Sequence, residues 1–362
     1  MEKRGGHEVQ MFIGEGKPMT ATSDQIREAV EKTDVVIVGM SSSKELAEPE
    51  LAACAAAVAA GIPYVFYLDT ANCHQREWFG EYRDQARGFF VINDREAEKV
   101  TAAYPKAQVA VTGNPMREDA FFPKFTYEQV RQKLNIAGEE TMILSPGGKS
   151  PIVNVLVWGA LLEALADVPN RMFRVVLACH PGDRTPFAVD PDVIRNPEIA
   201  GTGLEAALAN SKAQLNLYGD LVKFAPVSEK SKLKVEFVPK STMPTDDMVP
   251  GADLIAEFGS TIGINAAAQR KPVVTINTAI GVQRLFSTSK TWTTEPVELG
   301  LSVDCSASDI GDMTTRIANL LVRGEKFAPY LERQEEECPK PEFQGAAIKK
   351  MADTLEKSKT KK

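Results

Sequence analysis

The sequence predicts an α/β protein made of two doubly wound halves, each a parallel sheet with helices on both faces. Three observations point there. Strand-like runs are continuous and apolar, as in "DVVIVG" and "TMILSP", the pattern of strands buried on both faces. These runs alternate with helix-like segments, which is the mark of strand–helix–strand crossovers. Many of the strands end in turns rich in Gly, Ser and Thr.

In chain order, "HEVQMFIG" reads as a short strand. "SDQIREAVEKT" reads as a helix with Ser23 as its N-cap. "DVVIVGMSSS" is a buried strand, and "PELAACAAAVAAG" an Ala-rich helix ended by Gly61. "PYVFYLDT" and "GFFVIND" are strands, "REAEKVTAAYP" a helix, and "AQVAVTGNP" closes the first half. The charged stretch "MREDAFFPKFTYEQVRQKLNIAGEE" holds no buried strand and marks a linker. The alternation then restarts with "TMILSPGG", "IVNVLVWGALLEALADV", "FRVVLACHPGD" and "LKVEFVP". "TDDMVPGA" is a helical turn. "ADLIAEFGSTIGINAAAQRKPVVTI" is strand, tight turn, small-residue helix and strand, and two late helices follow. Residues 189–220 are polar and loop-rich.

Bulk properties exclude several functions. The chain has 362 residues, enough for two or three domains, and a net charge of -7, which argues against a general nucleic-acid surface. The basic end "EKSKTKK" reads as a solvated fray. No stretch of about twenty apolar residues is free of charge, and "MEKRGGHEVQ" lacks the apolar core of a signal peptide. The expectation is a cytoplasmic protein. Five scattered cysteines (Cys54, Cys73, Cys179, Cys305, Cys338) form no CxxC pair, so neither zinc nor a disulfide framework is indicated.

Ligands of such sheets bind beyond the carboxyl ends of the strands. In the second half those ends carry Ser145-Pro146-Gly147-Gly148-Lys149-Ser150, then His180-Pro181-Gly182-Asp183, then Gly259-Ser260-Thr261. The last opens a helix, whose unpaired N–H groups and positive end suit a phosphate. Gly147 and Gly148 would turn backbone N–H groups toward the same anion, with Lys149 adding charge. A plain Ser/Thr N-cap and a surface turn fit the same residues. In the first half, Gly39–Ser43 and Asp69-Thr70-Ala71-Asn72-Cys73-His74-Gln75-Arg76-Glu77 follow strands. The second of these packs Asp69, His74, Arg76 and Glu77 together, a density suited to acid–base work, although a solvated loop would read alike.

With these residues in view, the sequence resembles the two-domain nucleotide-sugar glycosyltransferases of the GT-B fold. It is most similar to the nonhydrolysing UDP-N-acetylglucosamine 2-epimerases and the lipid-A-disaccharide and galactolipid synthases. "FFVINDREAEKVTAAYPKAQVAVTGNP", "MILSPGGKS", "FGSTIGINAAAQRKPVV" and "TTEPVELG" carry the likeness in order, from His7 to about Gly324. The resemblance implies two Rossmann-like domains facing across a cleft. Residues 1–120 would form the acceptor side and 121–325 the donor side, with 326–362 returning toward the first domain. It implies a donor, a UDP-sugar, held by Gly147, Gly148, Lys149, His180, Gly259, Ser260, Thr261 and Asn265. Asp69, His74 and Glu77 would be the acid–base groups, with no metal and no cofactor. The acceptor is left open and includes lipid-linked compounds, so peripheral membrane contact is open too, as is the oligomeric state.

Three departures stand out. The family's helix after the Gly/Ser/Thr turn carries a Glu for the donor ribose, where this chain has Asn265. The epimerases carry a His-Arg-Arg-Glu-like loop where this chain has "SPGGKS". The family's first strand would precede "EKRGGHEVQ", so a partner chain or an upstream segment is expected to complete the first domain. A nucleotide-sugar-binding subunit without catalysis is the alternative that these departures favour, beside the epimerase.

Overall fold

The computed structural model describes residues 2–4, 7–9, 21–41, 43–180, 228–238, 242–289, 291–322 and 325–359. The expected strand at residues 7–14, the Pro181–Asp183 turn and the loop-rich stretch 189–220 lie wholly or partly outside them. Two compact units emerge, Met1–Glu118 with Pro341–Lys362, and Asp119–Lys340.

The first unit has a four-stranded sheet, β3 (Val36–Val38), β4 (Tyr64–Tyr67), β5 (Gly88–Val91) and β6 (Gln108–Val111), in that order and all parallel. Before it, β1 (Glu2–Arg4) and β2 (His7–Val9) form a separate antiparallel pair. Helix α1 (Ser23–Val30) is capped one residue earlier than the sequence suggests. Thr22 accepts the Gln25 N–H and Gln25 returns a bond to the Thr22 N–H, a reciprocal capping box that Ser23 does not make. Helix α2 (Glu48–Ala60) ends at Gly61, whose φ of 67° is the left-handed conformation glycine adopts freely. One sheet face packs Phe66 and Phe89, stacked on each other, against Phe79 and Val100, the last from α3 (Asp94–Ala103). The other face, at Val65 and Phe90, is covered by Met351 and Leu355 of α10 (Ala346–Lys359). Glu118 anchors that helix, its carboxylate accepting the N–H groups of Gly345 and Ala347, each at 2.7 Å.

Among its described residues the second unit has six parallel strands: β7 (Thr141–Pro146), β8 (Arg171–Ala178), β9 (Ser231–Val238), β10 (Leu254–Glu257), β11 (Val273–Asn277) and β12 (Val303–Ser306). Their spatial order is β12-β11-β10-β7-β8-β9. Counted within the unit this is 3-2-1-4-5-6, the dinucleotide-binding order, which reverses between β7 and β10. Its longer described helices are α4 (Tyr127–Lys133), α5 (Pro151–Asp167), α6 (Thr261–Ala268), α7 (Ala279–Ser289), α8 (Ile310–Val322) and α9 (Ala328–Glu337). On one face Trp158, Leu161 and Leu165 of α5 meet Met313, Ile317 and Leu320 of α8. On the other, Ile262 and Ala266 of α6 pack with Val130 of α4 and with Met248. No helix among the described residues is long and apolar enough to cross a membrane.

Candidate functional site

The reversal between β7 and β10 places two of the expected loops side by side. Ser145 locks the strands together there, its hydroxyl donating to the Ala256 carbonyl at 2.6 Å in full burial. Beyond this point the loops differ.

After β7, the glycine N–H groups are already spent. Gly147 N–H donates to the Ala178 carbonyl at 2.8 Å. Gly148 N–H donates to Asn154 Oδ1 at 2.7 Å, and Asn154 Nδ2 returns a bond to the Gly148 carbonyl at 3.0 Å. The expectation that these two glycines offer N–H groups to an anion is therefore corrected. Gly147 is required for packing, since a Cβ there would stand 3.0 Å from both Asn154 Nδ2 and Trp158 Cζ2. Lys149 is the exposed member of this loop. His180 lies half-buried just past β8.

After β10, the turn is exposed, although the Ser260, Ile262 and Gly263 N–H groups are bonded internally, the last to the Ser260 carbonyl at 3.1 Å. Gly259 has a φ of 63° and reverses the chain. Ser260 is the N-cap of α6, its Oγ accepting the Ile262 N–H at 3.3 Å. Thr261 begins the helix and is exposed, as is Gly259. A helix N-terminus with an exposed hydroxyl beside it is competent to hold an anion. Beneath the turn, Glu257 is fully buried and accepts the Ser260 N–H at 2.7 Å. Burial pushes its carboxyl up to about 7. Thr294 lies against Gly259, with its methyl 3.9 Å from where a Cβ would stand, and its buried hydroxyl has no partner.

Asn265, one turn along α6, donates from Nδ2 to Asp246 Oδ1 at 2.7 Å. Asp246 is exposed on the helical turn Thr245–Met248. The sequence reads "TDD" as a helix N-terminus in preference to a metal motif. The signal for Glu257 was available, as the one acid within the apolar run "LIAEF".

In the first unit the three expected acid–base residues do not converge. His74 is buried, 6% exposed, with Nδ1 3.8 Å from Glu96 Oε2 and no hydrogen bond. Burial holds its imidazole below the usual range, with Glu96 opposing. Its carbonyl accepts bonds from Arg83 and Tyr104, so the residue pins the loop. Glu77 is exposed at the start of the 3-10 turn Glu77–Phe79. Asp69 is exposed at the end of β4, 3.5 Å from Cys73 Sγ. Thr70 joins it, its hydroxyl 2.8 Å from Cys73 Sγ and 3.4 Å from Arg76 Nη2. Glu50, which sequence reading passed over, accepts the Ser41 N–H at 2.8 Å, and burial raises its carboxyl. The reachable acids of the loop are Asp69 and Glu77.

No protein-family profile matches the chain, and no curated protein matches it in sequence. Solved structures share its fold. The UDP-GlcNAc 2-epimerase of Neisseria meningitidis, bound to UDP-GlcNAc, has a TM-score of 0.56 at 16% identity over 92% of this chain and 81% of its own. Anabaena HepE in complex with UDP has 0.54 at 13%, over 92% and 82%. A Rickettsia africae glycosyltransferase has 0.51 at 13%, over 98% and 85%. The chain has the α/β architecture of these GT-B-like proteins.

Proposed function

We propose that the chain binds a nucleotide sugar at the β10–α6 turn and transfers its sugar to an acceptor. The exposed N-terminus of α6 at the strand-order reversal, with its Thr261 hydroxyl, carries this reading. The helix end and the Thr261 hydroxyl would hold the diphosphate, with Lys149 countering its charge. Such a site stabilises a diphosphate leaving group through oriented dipoles, as an oxyanion hole does. The Asn265–Asp246 pair would take the ribose hydroxyls, Asp246 restoring the charge that Asn265 lacks. UDP is the nucleotide we assign, since structures of two proteins of similar fold hold UDP or UDP-GlcNAc. We assign acid–base work on the acceptor to Asp69 and Glu77, and give His74 a structural part.

Epimerisation is the second reading, favoured by the epimerase among the similar folds. Incubation with UDP-GlcNAc and no acceptor separates the two. Inversion at the sugar, or loss of UDP from it without an acceptor, supports epimerisation, whereas UDP release that needs an added acceptor supports transfer. Thermal shift tests the shared premise. A UDP-sugar at a hundred times its Kd should stabilise the protein by about 2.7 kcal/mol. Stabilisation with no turnover toward any acceptor would instead favour a binding subunit.

A further inference from the structure

The face of the first sheet that α10 covers is covered only in part. Strand register puts Ile37, Val65, Gly88 and Gln108 in one row across that face, and Tyr67, Phe90 and Ala110 in the next. Met351 and Leu355 pack over Val65 and Phe90. The first row, nearer the strand starts, is poorly filled. Gly88 brings no side chain to it, and none fits, because a Cβ there would run into the Gln108 carbonyl. Ile37, at the β3 end of the row, is exposed. Both faces of a parallel sheet are ordinarily covered, so the gap is a departure within this unit.

A cavity of about 410 Å³ occupies the gap. Val65, Phe90 and Ala110 of the sheet and Leu355 of α10 wall it, with Val35 and Pro63 from the entries to β3 and β4. The volume falls in the range of small-molecule sites, well above the roughly 150 Å³ at which an apolar cavity takes up benzene. Three charged residues line it: the acid Asp34 and the cations Arg87 and Lys357, two positive charges against one negative. Asp34 and Lys357 are exposed and Arg87 is half-buried, so the charges stand at the mouth and the carbon lies behind them. The next charged residues along the chain after Lys357 are Lys359, Lys361 and Lys362, all basic.

An apolar pocket with a basic mouth matches a ligand that has a hydrocarbon body and one anionic head. A cationic head would meet the excess positive charge. A compact polar anion would leave the apolar walls wet. We propose that this cavity binds a medium-chain fatty acid as its carboxylate, the chain lying between the sheet and Leu355 and the head at Arg87 and Lys357. A chain bound there fills the space beneath α10 and braces that helix on its sheet. The cavity lies at the amino ends of the strands, whereas the loops assigned to the nucleotide sugar and its acceptor follow carboxyl ends, so either site can fail without the other.

Calorimetry of the full chain with hexanoate, octanoate and decanoate, at low salt and below micelle formation, tests it. Binding should saturate at one site, with Kd falling about fourfold for each added methylene until the cavity is full. Decanol should bind more weakly than decanoate, and decyltrimethylammonium more weakly still. Ala110→Phe, which fills the cavity, should abolish binding, and decanoate should raise the melting temperature of the wild type but not of this variant. Lys357→Glu should weaken decanoate about two- to fivefold and leave decanol unchanged, a split that a merely structural effect does not produce. Should Ala110→Phe fail to fold, the three head groups and Lys357→Glu decide alone. No saturable binding of decanoate, equal binding of decyltrimethylammonium, or decanoate binding that Lys357→Glu or a folded Ala110→Phe leaves unchanged overturns the proposal.

Discussion

The loop after β4 and the turn after β10 follow strands of parallel sheets and are both rich in polar residues, yet they are held differently. The β4 loop is anchored inward at its middle, while its Asp69 and Glu77 face water. His74 gives its ring to the interior and its carbonyl to Arg83 and Tyr104, and Asn72 gives its N–H to the buried Glu96. The β10 turn keeps its bonds underneath, on Glu257, and leaves Gly259 and Thr261 facing water. Residue type alone does not separate the two cases. What separates them is where the buried partner comes from. Glu96 of α3 reaches the first loop from a neighbouring element, whereas the second turn is held by Glu257 of its own strand. The β7 loop follows the inward case, because α5 sends Asn154 back onto Gly148.

The contrast is tested most severely by turnover. Asp69→Asn or Glu77→Gln should lower it by about 10²–10⁴-fold, the usual share of acid–base catalysis, with nucleotide affinity unchanged. His74→Ala should lower the melting temperature and spare turnover per folded molecule. Lost turnover with unchanged stability in His74→Ala would break the assignment of the β4 loop as inward.

Stability against pH gives the next effect. Glu257 is raised from the ordinary value of 4.5 to about 7. The folded state thus binds more protons than the unfolded between those values, and stability falls as pH rises. The contribution is full below about 4.5 and lost above about 7, on the order of 3 kcal/mol in all. Denaturant melts of wild type against Glu257→Gln, from pH 5 to 8, should show this difference. Parallel curves would mean the carboxyl is not held as described.

Smaller effects sharpen the comparison within the second unit. Ser260→Ala with Thr261→Ala should weaken UDP-sugar binding by about 1–3 kcal/mol, as for hydrogen bonds to a charged group. Some of the stability loss comes from the Ser260 cap, worth about 1 kcal/mol. Asn154→Ala should cost stability and little affinity, because the Gly148 N–H it frees was not serving a ligand. Lys149→Ala, an exposed charge, should change affinity by less than about 1 kcal/mol and only at low salt. Equal affinity losses in the Asn154 and Thr261 variants would erase the distinction between the loops.

Much of the fold was readable along the chain. "TMILSP" and "DLIAEF" became strands covered on both sides, whereas Ile37 of "DVVIVG" is 48% exposed, so one face of that edge strand stays open. Gly61 ended its helix as its position implies. The Gly259–Thr261 turn opened a helix, as the small residues behind it required. The order of the six strands was not readable, because it depends on which crossover packs on which face. Nor were the partners of Gly147 and Gly148, since Ala178 and Asn154 reach them only once β8 and α5 are in place. His74 and Glu77 looked equivalent by spacing, and only the packing of α3 buried one and spared the other.

The pairing of α10 with the sheet of the first unit has a consequence in time. The second unit is one uninterrupted stretch, Asp119–Lys340, whereas the first needs residues from either side of it. On the ribosome, β3 to β6 are made early, but Met351 and Leu355 follow only after the whole second unit, tens of seconds later at roughly 5–20 residues per second. During that interval Val65 and Phe90 form a greasy strip that chaperones and other nascent chains can meet. Glu118, waiting at the end of the early segment, is the latch that the Gly345 and Ala347 N–H groups find when synthesis reaches them.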